Sequence, residues 1–395
     1  MTIRDGRWDI VALAFGVGLL LWSLGLFAPA VFLPYLHAQR GWPISIISAA
    51  ITVHYLASAC TVAVMPEILR LLGLRATIMA GVIAIYLGFI AWATLPSPSL
   101  LFVAALLSGG GLACGTSVTV NAIINMGFPT ERAKPLGIAL NGAAIGGILL
   151  VPLLTFGGRH VSLAGTLTVL GVVAVIILAW LSTALNRPPA ASVASPTTGA
   201  PITRRALFRS PQFLSLTFAF AIAIFVQVGI YSQLINLLRP VFGIDGASLA
   251  MTACITAAIA GRSAVAWNIG QANRRAIAAL SFLMQSAGVL ALAFASTPAV
   301  AIMGCLLFGL GLGNLPLLPP LIVQQEFEQR SFGLVIATVS AVNQVILAFG
   351  PVWFGLLYDV SGAYMLPFVI GALLYLVAAA IVTLHWRAGV AFKNR

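Results

Sequence analysis

Long apolar runs recur along this chain, and charge enters almost only between them. Breaks at charged residues, prolines and glycines divide the 395 residues into twelve such runs. The first six cover about 10–36, 44–69, 75–95, 99–126, 135–157 and 162–186. The second six cover about 212–238, 247–269, 276–296, 299–325, 333–357 and 364–386. Each can cross ~30 Å of hydrocarbon at ~1.5 Å per helical residue. Charged residues make up 7% of the chain and hydrophobic ones 61%, with mean hydropathy +1.08. A soluble core of this size cannot hide so much apolar surface, so the medium is lipid. Lipid offers no partner to backbone N–H and C=O groups, and runs this long satisfy them as helices. The expectation is an all-α membrane protein.

The net charge of +12 does not point to nucleic acid, because its basic residues lie in loops and tails. Sixteen of the twenty Lys and Arg fall on the termini, the linker and the loops of that side. Arg40, Arg159 and Arg239 fall on the opposite side, and Arg262 falls inside a run. Basic loops stay in the cytoplasm, which predicts both termini and the linker there. The four cysteines lie in apolar runs without a CxxC pair, so neither a metal site nor a cofactor is expected. "RPPAASVASPTTGAPITRRALFRS", from Arg187 to Ser210, is the one long polar segment. It divides the chain into a first bundle (1–186), a linker (187–210) and a second bundle (211–395). "LLSGGGL" (106–112) and "LLFGLGL" (306–312) sit 200 residues apart, each in the fourth run of its half. That spacing predicts two repeats of six helices.

Several local motifs go further. "DGRWDIV" (Asp5–Val11), "FPTERAKPLGIALNGAAIGG" (Phe128–Gly147), "FGLGLGNLPLLPPLI" (308–322) and "YDVSGAY" (358–364) together resemble the major facilitator superfamily. Within it they resemble bacterial members of the monocarboxylate-porter branch. The resemblance implies twelve transmembrane helices in two six-helix bundles and alternating access to a site near mid-membrane. The chain departs from the pattern in places. The loop after the second run reads "PEILRLLGLR" (66–75), with Arg70 at the usual acidic position. Ala258 stands where well-studied porters carry a proton-handling aspartate, and "LFAPAVF" (26–32) lacks the branch's lysine. The acid-based proton coupling of those porters therefore does not carry over.

Arg262 is the residue that most needs an explanation. A guanidinium at mid-bilayer costs ~2.5 kcal/mol or more, and no Asp or Glu lies between Asp245 and Glu326. Its forked donors suit a carboxylate, so a substrate carboxylate is one candidate partner. Backbone carbonyls at a helix crossing, or snorkelling toward the cytoplasm, are the structural alternatives. Gln227 and Tyr231 share a helix face. With Asn314, Asn343 and Gln344 they are the further candidates for orienting a substrate. His54 lies deep in the second run, either as the carrier of a coupled proton or as a neutral bridge between helices. No HExxH, P-loop or GxSxG motif occurs, which argues against an enzyme. The sequence leads to a secondary carrier for a small organic anion, a monocarboxylate, in a bacterial-type inner membrane. The transport is either secondary active, with a proton or counter-anion as the coupled species, or facilitative. The alternative is a carrier or efflux pump for hydrophobic or aromatic compounds in which Arg262 is structural.

Overall fold

The computed structural model describes residues 7–128, 131–186 and 203–384. Asp5 and Gly6 of the opening motif, Pro129 and Thr130, linker residues 187–202 and the basic C-terminal tail from 385 lie outside the described residues. Every described element is helical. The chain separates into two compact units, Met1–Thr197 and Thr198–Arg395, and the boundary falls inside the Pro/Ser/Ala/Thr-rich segment.

In the first unit, α1 (Trp8–Val17) passes through a π-helical turn (Gly18–Trp22) into α2 (Ser23–Arg40). Then follow α3 (Ile44–Ala63), α4 (Met65–Thr94), α5 (Pro98–Ala113), α6 (Ser117–Gly127), α7 (Ala133–His160) and α8 (Leu163–Leu181). A short α9 (Arg204–Leu207) opens the second unit. Behind it come α10 (Pro211–Asn268), α11 (Arg274–Ala293), α12 (Pro298–Leu312), α13 (Leu318–Glu326), α14 (Phe332–Leu347), α15 (Gly350–Ser361) and α16 (Met365–Thr383).

Local chemistry explains where these helices begin and bend. Ser97 and Thr297 cap α5 and α12 by accepting from Leu100 N and Val300 N, and each is followed by proline at the first helical position. That pairing satisfies an orphan N–H and presets φ. The seventh and eighth expected spans form one element, α10, which turns at Gly243 (φ 70°); α4 turns likewise at Gly73 (φ 75°). A Cβ would meet nothing within 4 Å at either position, so glycine is needed there for its left-handed backbone alone.

Ten described helices are long and apolar enough to cross a membrane. The second expected span is the 20-residue α3, and the tenth, Pro298–Leu312, is apolar but shorter. The tenth is short because Pro316 has no N–H to give Leu312 O, which instead accepts from Leu315 N at 3.2 Å. The chain unwinds over Gly313–Leu317 and resumes as α13.

Side-chain burial follows the helical period. On α8, Leu167, Gly171, Ala174 and Leu178 are buried, while Val169, Val172, Ile176 and Trp180 are exposed. An apolar outer stripe opposite an apolar inner stripe is what lipid on one side and protein on the other select.

Candidate functional site

Each unit places a polar side chain against a backbone carbonyl that lacks its usual helical donor. In the first, Pro29 deprives the Gly25 carbonyl of its usual donor. His54, on α3, fills the gap: its Nε2 lies 3.1 Å from Gly25 O, and its Nδ1 lies 2.8 Å from Ser108 Oγ on α5. The neighbouring Tyr55 hydroxyl donates to Leu26 O at 3.1 Å. Phe89 and Trp92 of α4 flank the imidazole at centroid distances of 5.5 and 6.4 Å. His54 is completely buried. Its ring therefore bridges α2, α3 and α5, and both nitrogens face an oxygen.

The second unit repeats the pattern with a guanidinium. Where the tenth span unwinds, Leu317 N and Leu318 N both turn to Asn314 O, leaving Gly313 O without a helical donor. Arg262, in the second half of α10, donates to it from Nε at 2.7 Å. The two segments cross closely here, because a Cβ on Gly261 would collide with the Leu310 carbonyl and one on Gly313 with that of Ala258. Arg262 is 5% exposed, so it does not reach toward a membrane surface. Of the structural alternatives, the geometry matches the carbonyl brace at a helix crossing, and snorkelling is excluded.

Asn314 continues the same polar seam. Its Nδ2 donates to Ser281 Oγ at 3.0 Å and to Leu310 O at 3.3 Å. Gln285, one turn further along α11, donates from Nε2 to Ser281 O at 3.3 Å. Arg262 and Asn314 are thus brought together through adjacent residues of the break. Ser281 and Gln285 join them, and neither was singled out in the sequence. The signal was available: they stand four apart on one face of an otherwise apolar run.

Gln227, Tyr231, Asn343 and Gln344 are half-buried on α10 and α14. Among the described residues no hydrogen bond ties any of them to Arg262. Tyr231 lies within electrostatic reach of Cys254. The carbonyl oxygens of Gln227, Asn343 and Gln344 are buried without a donor among the described residues. No group of three or more His, Cys, Asp or Glu that could hold a metal occurs among the described residues.

The chain matches the Major Facilitator Superfamily over residues 13–351. No curated protein matches it significantly. Among solved structures it is similar to the Escherichia coli fucose:proton symporter FucP, with TM-score 0.72 and 17% identity over 95% of this chain and 97% of that one. A second FucP structure, in the outward conformation, gives TM-score 0.68 at 17% identity over 95% and 97%. The human organic anion transporter MFSD10 (TETRAN) gives TM-score 0.68 at 17% identity over 96% and 99%. At such identities the likeness is one of fold, and the fold is an all-helical transporter fold. With the family match covering most of its length, the chain belongs to the Major Facilitator Superfamily, a multi-pass membrane transporter of small solutes.

Proposed function

We propose that this protein is a secondary carrier for a small organic anion, a monocarboxylate, moved by alternating access. Arg262 supplies the counter-charge, and Gln227, Tyr231, Asn314, Asn343 and Gln344 orient the remainder of the substrate. The observation that carries this reading is a guanidinium, 5% exposed, deep in an apolar helix whose first-unit counterpart, 200 residues earlier, is the buried apolar Val62. The equivalent first-unit helices pack without a charge at that place, where Ala113 O accepts from Thr116 Oγ1 at 2.9 Å. The fold it shares with a human organic anion transporter is compatible with such a cargo.

His54 is the candidate carrier of a coupled proton. Both ring nitrogens face oxygens that accept, so the imidazolium keeps its hydrogen bonds. The excess of Lys and Arg on one set of loops supports a bacterial-type inner membrane with both termini cytoplasmic. Lipid is the surrounding partner.

The bond from Arg262 Nε to Gly313 O favours a second reading, in which the guanidinium is only a brace and the cargo is a hydrophobic or aromatic compound. Proteoliposome uptake with competing carboxylates and their neutral amide analogues separates the two. Under the organic-anion reading carboxylates compete, amides do not, and Arg262→Gln abolishes uptake in folded protein. Uptake that persists in Arg262→Gln, or that amides inhibit equally, supports the brace. Uptake driven by a pH gradient tests His54: in His54→Gln the dependence on the gradient flattens, and an unchanged dependence removes His54 from coupling.

A further inference from the structure

The two units serve as internal controls for one another. Gly109 packs against the His54 carbonyl and Ala57 Cβ, and Gly309 packs against the Cys254 carbonyl and Ala257 Cβ. Gly88 meets Ser108 as Gly288 meets Phe308, and Gly111 meets Ile85 as Gly311 meets Gln285. Each pair of contacts is offset by 200 residues, so equivalent positions can be read directly. At that offset Arg262, Ser281, Gln285 and Asn314 correspond to Val62, Gly81, Ile85 and Cys114. All four counterparts are buried. One fold thus builds this corner twice, once from apolar or small side chains and once as a polar seam. In the first unit the packing is completed without such a seam.

The seam is also incomplete. Gln285 is fully buried and Asn314 is 3% exposed, yet Gln285 Oε1 and Asn314 Oδ1 have no hydrogen-bond partner among the described residues. The amide orientations follow from their nitrogens, which are committed to Ser281 O, Ser281 Oγ and Leu310 O. Turning either amide over would set oxygen against oxygen. Ser281 cannot serve as the missing donor, because its single proton goes to Ile277 O at 2.9 Å. Two buried acceptors therefore await donors, at a cost of ~1–3 kcal/mol each while unmet.

We propose that Gln285 and Asn314, both held by Ser281, are specificity-determining residues that receive hydroxyl donors of the substrate beside Arg262, making the cargo a polyhydroxylated organic acid. This rests on the organic-anion reading above. A carboxylate has no proton to give these oxygens, and one hydroxyl supplies a single donor for two acceptors. An ammonium group would be repelled by the guanidinium. A carboxylate on a polyhydroxylated chain meets both demands.

The test is ligand-induced thermal stabilisation of the purified full chain, titrated with gluconate, hexanoate and sorbitol. Gluconate is expected to bind at least ~tenfold more tightly than hexanoate, since a site built for a hydroxyl rejects the analogue lacking it. Gln285→Ile and Asn314→Cys copy the first unit, so they should fold, and each should bring the two acids toward equal affinity. Equal binding of gluconate and hexanoate by the unaltered protein overturns the inference and leaves the organic-anion reading standing. Stabilisation by sorbitol as strong as by gluconate, or no stabilisation by any of the three, overturns that reading as well.

Discussion

Arg275 grips Glu326 with two parallel hydrogen bonds, Nε to Oε1 at 2.5 Å and Nη2 to Oε2 at 2.8 Å. The remaining donors reach Ser215 Oγ at 2.9 Å, Val382 O at 3.0 Å and Gln212 O at 2.9 Å. All five guanidinium N–H groups are matched. One side chain at the start of α11 thereby fastens the beginning of α10, the end of α13 and the end of α16.

Removing the acid should cost more than removing the base. The Arg275 side chain is 3% exposed and that of Glu326 is 23%. Glu326→Gln strands a buried cation, with an expected loss of about 3 kcal/mol or more. Arg275→Met leaves a carboxylate that can turn to water, so a smaller drop in melting temperature is expected. The pair Arg275→Met with Glu326→Leu should recover part of the loss. Equal losses for the two single variants would contradict this account.

Glycines at the α10–α12 crossing should resist any side chain. In Gly261→Val a branched Cβ meets the Leu310 carbonyl, which is backbone and cannot step aside. A destabilisation of about 2 kcal/mol or more is expected. Gly333→Ala is the control, since nothing lies within 4 Å of its Cβ. Its helical position predicts neutrality or a gain of up to about 1 kcal/mol. Thermal unfolding of both variants in detergent decides it.

Around Pro29, the replacements should rank by the bonds they remove. His54→Leu strips a bridge of two bonds and exposes a buried carbonyl, for about 2–4 kcal/mol. Tyr55→Phe removes one bond, to Leu26 O at 3.1 Å, for about 1 kcal/mol. A melting series that reverses this order would show that the imidazole does not secure the Gly25 carbonyl.

Arg262→Val reproduces the first unit's residue and should still fold. It leaves Gly313 O without its 2.7 Å donor, so a loss of about 1–3 kcal/mol is expected. A protein that fails to assemble at all would assign the guanidinium a larger structural share than its bond to Gly313 O.

The membrane-spanning, all-helical character of this chain was readable from its residues alone. So was the 200-residue spacing at which equivalent glycines pack in each half. These properties are local: hydropathy, helical period, proline and glycine act within a turn or two, and lipid leaves a backbone few ways to satisfy itself. Tertiary structure decided which groups meet. The sequence could not show that Arg262 donates to Gly313 O, that His54 covers the carbonyl freed by Pro29, or that Ser281 and Gln285 complete the seam at Asn314. Nor could it foresee that the tenth span is broken short, or that among the described residues no hydrogen bond ties Gln227, Tyr231, Asn343 or Gln344 to Arg262. In an apolar solvent every helix face is acceptable to lipid, so periodicity does not reveal which face turns inward. Close glycine crossings and the few carbonyls left over by prolines make that choice, and they are properties of helix pairs rather than of any one helix.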